Sequence, residues 1–245
     1  MADVSRETPP AAPAITAEAR GVFPSERHEV AQRYADWLAG AGTVRGLIGP
    51  REVPRIWERH LVNCAVLAEV IPRHARVGDI GSGAGLPGLV LAVARPDLEL
   101  VLVEPLLRRS TFLKEVVEDL GLDRVTVWRG RAEEYPDRHS FDVVTSRAVA
   151  PLDRLLAWSM PLVAPSGAVI ALKGASAKEE VVEHRAAWTR MGCAEPEVLT
   201  LGQDLAGGPT YAVRVSWADP DRVGLGGPTG ARAGAKKSRK RRPRR

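Results

Sequence analysis

Ten residues, Asp79-Ile80-Gly81-Ser82-Gly83-Ala84-Gly85-Leu86-Pro87-Gly88, set a carboxylate at the end of an apolar run and directly before a glycine-rich turn. Glycine lacks a Cβ, so the backbone there can turn sharply and approach a ligand closely. The helix start that follows offers unpaired N–H groups to an anion. The stretch reads as a nucleotide-cradling loop, and two parsings name different nucleotides. Gly83, Gly85 and Gly88 fit G-x-G-x-x-G, the pattern of dinucleotide-dependent oxidoreductases using NAD. Asp79, Gly81, Gly83 and Gly85 fit acid-x-G-x-G-x-G, in which the acid repels a pyrophosphate and suits a cationic aminoacyl group. S-adenosyl-L-methionine carries such a group and a sulfonium. Asp79 also reads as a plain turn or capping residue, because Asp is common before tight turns.

Further along, the ends of successive apolar runs carry polar residues. Glu104 lies 23 positions after Gly81, where an acceptor takes two ribose hydroxyls in either nucleotide class; alone, it reads as a solvated strand-end acid. Gly130-Arg131-Ala132-Glu133 follows the third run and offers a small residue and an acceptor for an adenine ring and its amino group. The order of the set carries more than its members, and it favours S-adenosylmethionine.

These residues need a frame. Apolar runs at 75–80, 99–104, 124–128, 141–146, 168–173, 197–201 and 211–217 predict seven strands, and amphipathic stretches at 88–94, 107–120, 152–162 and 177–191 predict helices between them. Such alternation implies right-handed crossovers and an α/β, doubly wound, mostly parallel seven-stranded sheet. Upstream, Ser25 is placed to cap a helix carrying Val30, Tyr34, Trp37 and Leu38 that ends near Gly40 to Gly42. A second helix spans 54–71, with Ile56, Trp57, His60, Leu61, Cys64, Leu67, Ala68 and Ile71 at spacings of three and four. The expected organisation is a mobile arm over 1–24, an N-terminal helical cap over 25–72, a nucleotide-binding domain over 73–219 and a disordered linker with basic tail over 220–245.

At this point the chain resembles the class I, Rossmann-like methyltransferases, and within them the RsmG (GidB) family of small-subunit ribosomal RNA guanine N7-methyltransferases. The resemblance spans roughly 27–217. It rests on Trp57-Glu58-Arg59-His60-Leu61, on Asp79 to Gly88, and on Val103-Glu104-Pro105 with Arg108-Arg109-Ser110-Thr111-Phe112-Leu113. Ser146-Arg147-Ala148 and Ala171-Leu172-Lys173-Gly174 complete it. It implies methylation of one guanine N7 in a decoding-region loop of 16S ribosomal RNA, with Gly81, Leu86, Ala132, Glu133 and Arg147 at cofactor-site positions. Asn63-Cys64 departs from the acidic-Ser pair of many members, and the basic tail lies outside the shared region.

Guanine N7 already presents a lone pair, so its attack on a sulfonium methyl needs no general base, and alignment is what a protein can add. Arg147 is the first choice for that work, by contacting the cofactor or donating to guanine O6 or a phosphate, against the alternative of a surface ion pair. Lys173 shares its place at a strand end and reads equally well as a solvated terminus. Arg108 and Arg109 read as RNA contacts or as a solvated helix face. His60 reads first as a satisfied, partly buried histidine and becomes a substrate-site residue only through family position. The fourth strand end, Ser146 to Pro151, lacks the Asp/Asn-Pro-Pro-aromatic motif that grips an exocyclic amine, and neither cysteine stands in a Pro-Cys setting for covalent attack on a pyrimidine. An NAD-dependent oxidoreductase and a catalytically inactive RNA-binding assembly protein stand as alternatives.

The net charge is +5, yet nine Lys/Arg and no acids fall within Ala231 to Arg245, so the preceding residues carry −4. Attraction to RNA phosphates from bulk charge therefore belongs to the tail, which self-repels. The expected partner is 16S ribosomal RNA or the small-subunit particle. Two distant cysteines match no metal spacing and there is no export signal, so no metal and a reducing cytoplasm are expected. No apolar run approaches bilayer length, so no membrane partner is expected either, and the chain is expected to be a monomer.

Overall fold

The computed structural model describes residues 11–147 and 150–224; the basic tail lies outside the described residues. Seven strands form one sheet: β1 (Arg76–Ile80), β2 (Glu99–Val103), β3 (Val125–Trp128), β4 (Phe141–Arg147), β5 (Val163–Lys173), β6 (Glu197–Leu201) and β7 (Thr210–Ser216). Their order is β3-β2-β1-β4-β5-β7-β6. β1 to β5 pair in parallel, while β7 runs antiparallel to both β5 and β6. Val, Leu and Ile dominate the central strands because helices cover both faces and leave no wet side. The strand order reverses between β1 and β4, and ligands of open α/β sheets bind at the carboxyl ends beside such a switch.

Before the sheet lie α1 (Ala17–Val22), α2 (His28–Trp37) and α3 (Asn63–Ala65). The helices expected in the cap are present but unevenly wound. A π-turn at Leu38–Gly42 extends α2, and a 3-10 turn at Pro50–Arg55, a π-turn at Trp57–Val62 and a 3-10 turn at Val66–Val70 flank α3. Ser25 does not cap: Pro24 holds that position and the Ser25 hydroxyl donates to Glu26 at 3.2 Å.

Where a mobile arm is expected, residues 12–23 are docked. The Ala12 and Ile15 amides donate to Asp36 (3.0 Å) and Gln32 (2.7 Å), and the Trp57 indole donates to the Pro13 carbonyl at 2.8 Å. Ile15, Ala19 and Phe23, four apart, form an apolar stripe that settles on the cap, with Phe23 edge-on to Trp57. Thr16 caps α1 by accepting from the Ala19 amide.

Between the strands lie α4 (Gly88–Ala94), α5 (Leu107–Asp119), α6 (Leu152–Ser159), α7 (Ala177–Glu183) and α8 (Arg185–Arg190). The cap, α4 and α5 share one hydrophobic core on one face of the sheet; α6, α7 and α8 pack on the other. Residues 177–191, read as one helix, break at His184, and β5 begins at Val163 rather than at 168.

Candidate active site

The glycine loop is braced from beneath. Asp79 is fully buried, its Oδ2 accepts from the Gly88 amide at 3.1 Å, and the Ser82 hydroxyl donates to its carbonyl at 2.9 Å. Gly88 is obligatory because a Cβ there would fall 2.6 Å from Asp79 Oδ2 and collide with Leu102. Gly85 adopts φ +96°, and a Cβ on it would run into Leu89 and the Tyr34 hydroxyl. That hydroxyl donates to the Ala84 carbonyl at 2.9 Å, tying the cap to the loop. Burial pushes the Asp79 carboxyl up to about 7, with nearby Glu104 adding to the rise and the hydrogen bond from the Gly88 amide opposing it.

The contact between Asp79 and a cationic ligand end, expected from sequence, is therefore corrected: no surface of this carboxylate reaches a cavity, and its second oxygen has no partner among the described residues. The dinucleotide parsing is disfavoured on a separate ground. The first N–H of α4, which a pyrophosphate would need, is already spent on Asp79.

Above the loop a cavity of about 570 Å³ is lined by Gly81, Ser82, Gly83, Leu86 and Glu104, by Leu47, Ile48 and His60 of the cap, and by Arg109 and Arg147. Glu104 is held by two backbone donors, Gly83 (3.0 Å) and Leu106 (3.0 Å), so its carboxylate is oriented before any ligand arrives. A second hollow of about 260 Å³ adjoins it through Gly81, Pro105 and Leu106, and is lined by Ile80, Val103, Ala132, Glu133, Arg131 and Trp158. Its mostly apolar walls suit a flat ring. Ala132 and Glu133 line this hollow, whereas Gly85 lies outside both linings and serves the turn.

On the cap side of β4, Arg147 donates to three acceptors of one helical stretch: the Arg59 carbonyl (3.0 Å), His60 Nδ1 (2.9 Å) and Cys64 Sγ (3.3 Å). His60 and Cys64 share a helix face because they are four apart. Burial, together with Arg147, holds the His60 imidazole below its ordinary titration range, while Glu52 at 3.0 Å from Nε2 acts against that. Burial pushes the Cys64 thiol up to about 11. Arg147 also lines a second large cleft, of about 550 Å³, with Arg55, Glu58, Arg59, Asn63, Lys173 and Gly174.

Lys173 lines that basic cleft, but its ammonium is engaged by Glu180 (2.7 Å) and the Ala150 carbonyl (3.1 Å). The same Glu180 oxygen accepts from the Leu152 amide. The lysine thus secures the segment after β4 instead of standing free for substrate. Arg108 and Arg109 lie with Arg45, Leu47, Leu106 and Leu107 around a third hollow of about 360 Å³, on another flank of the cofactor-sized cavity, and only Arg109 reaches that cavity itself.

The sequence reading missed Tyr34, Leu47, Ile48, Glu52, Trp158 and Glu180. Tyr34 sits in an amphipathic stripe like any core aromatic, and the rest meet the site only through tertiary packing.

A doubly wound sheet with an antiparallel seventh strand, and a strand-loop-helix unit whose helix N-terminus is occupied by a buried acid, define a Rossmann-like methyltransferase. The model of the family described as rRNA small subunit methyltransferase G matches residues 27–205, and the chain belongs to that family. A Nocardioides protein named ribosomal RNA small subunit methyltransferase G is 62% identical over 221 residues, covering 90% of this chain and 87% of that one. The Streptomyces coelicolor protein of the same name is 51% identical over 231 residues, covering 93% and 92%. Among solved structures, a Methanococcus maripaludis protein described as an S-adenosyl-L-methionine-dependent methyltransferase superposes with TM-score 0.54 at 15% identity, covering 67% of this chain and 90% of that one. An Aquifex aeolicus SAM-dependent methyltransferase gives 0.50 at 18%, covering 66% and 92%. At those identities the likeness is one of fold.

Proposed function

We propose that the protein transfers a methyl group from S-adenosyl-L-methionine to N7 of one guanine in 16S ribosomal RNA by direct in-line displacement. The observation that carries this reading is the position of Arg147, which lines both the cavity above the glycine loop and the basic cleft. When bound, the cofactor supplies an electrophilic methyl carbon. The pre-oriented Glu104 would take the ribose hydroxyls, Ala132 and Glu133 with Trp158 would enclose the adenine, and Gly81, Gly83 and Leu86 would hold the methionine half. The acceptor base enters from the basic cleft. With cofactor and base both bound, the N7 lone pair would form the new N–C bond as the C–S bond broke, leaving the electron pair on sulfur and the positive charge on the guanine. No proton is removed, so the residues contribute alignment and donors: Arg147 faces O6, and Arg55, Arg59, Arg108 and Arg109 face phosphates.

The test is methyl transfer by the purified chain, with labelled S-adenosylmethionine, to unmodified small subunits and to deproteinised 16S RNA, followed by nuclease digestion and mass mapping. We expect 7-methylguanosine at a single site and S-adenosylhomocysteine binding in calorimetry without NAD binding. Label on another nucleoside overturns the N7 assignment. RNA binding without any transfer leaves the assembly-protein reading.

A further inference from the structure

We infer that Glu52 is a positioning residue for the transfer, acting through the tautomer of His60 to hold Arg147 in the wall between the two clefts. The inference rests on Arg147 touching cofactor or base, as proposed above. A guanidinium has donors only, so the His60 Nδ1 that lies 2.9 Å from Arg147 must be the acceptor. The imidazole proton is then on Nε2, which points at the Glu52 carboxylate 3.0 Å away. Glu52 is fixed in turn by Arg59, whose guanidinium donates to both of its oxygens (3.2 and 3.3 Å). The carbonyl of that same Arg59 accepts from Arg147. The chain of contacts runs from the Pro50–Arg55 turn, through the π-turn, to the end of β4, and π-turns concentrate where function needs an irregular helix face.

The charged groups facing His60 are Glu52 from the 3-10 turn, Arg59 beside it and Arg147 from β4. The first favours a proton on the ring, and the two arginines oppose it. A second proton would place an N–H at Nδ1 against the Arg147 N–H groups. Arg147 would lose one of its three acceptors and face a second cation in its place, so transfer should decline on the acid side as His60 protonates, below the ordinary histidine range.

Glu52 is about one-third exposed, so its replacement should leave folding intact. E52A is expected to lower kcat about tenfold, the cost of one charge-assisted hydrogen bond, with E52Q intermediate because its amide oxygen still accepts from Nε2. In an H60A background E52A should add nothing. The acid limb of the kcat profile should move to lower pH in E52A, because the carboxylate that favours the imidazolium is gone, and disappear in H60A. Parental kcat and an unmoved limb in E52A, or multiplicative losses in the double variant, overturn the inference. Independently of activity, nitrogen-15 spectra of histidine-labelled protein should report His60 as the Nε2–H tautomer in the parent. An Nδ1–H tautomer overturns the inference even if methylation proceeds, whereas an Nε2–H tautomer in a chain that transfers no methyl sinks the reading of the site and not the relay.

Discussion

Burial separates the two carboxylates of the loop. Glu104 accepts from two amides and lines the cavity; Asp79 accepts from one and reaches none. An unfolded Asp titrates near pH 4 (roughly, by model peptides), whereas native Asp79 titrates at about 7, so the folded state binds the proton more tightly between those values. Its contribution to stability is complete below the unfolded value and is lost as the pH rises through the native one. D79N keeps an oxygen for the Gly88 amide and carries no charge. Its melting temperature is expected to exceed the parent's at pH 8 and to fall less between pH 5 and 8, with S-adenosylhomocysteine affinity retained. Loss of that affinity would restore the direct ligand contact read from the sequence. Glycines and acids within one loop were legible because turn geometry is local. Tyr34 and Glu52 were not, since the contacts that give them meaning join residues as far apart as the 87 positions between His60 and Arg147.

Among the elements, the parallel strands were the most legible, because burial on both faces writes them as unbroken apolar runs. The break between α7 and α8 and the early start of β5 depend on what packs against them, and no local signal announces either. Lys173 shows the same limit at a strand end. Its side chain is 10% exposed and joins Glu180 to the segment that carries Ala150 and Leu152. K173M leaves that carboxylate without its cation and should cost about 1–3 kcal/mol of stability, with methyl transfer falling in parallel. K173M combined with E180Q should regain most of the lost melting temperature. Weakened RNA binding by K173M at parental stability would return the lysine to the substrate-contact role expected from its position.

For the whole molecule, charge and fold separate. Nine cations lie in 231–245 and the rest of the chain is net acidic. If the tail meets RNA phosphates, deleting 225–245 reduces the slope of log affinity against log salt by up to about 6, as nine contacts to a single strand would give. It should also leave cofactor affinity unchanged. An unaltered slope removes the tail from the RNA interface. The docked 12–23 segment and the core shared by cap and sheet show that the boundary drawn at residue 72 divides sequence patterns rather than separate hydrophobic interiors. That shared interior bears on synthesis. Chains emerge amino end first, so Phe23, Tyr34, Leu38, Ile56 and Leu61 leave the ribosome before Leu89, Leu102 and Phe112 exist to cover them. The nascent cap is thus an apolar surface that stays uncovered until α5 has been made.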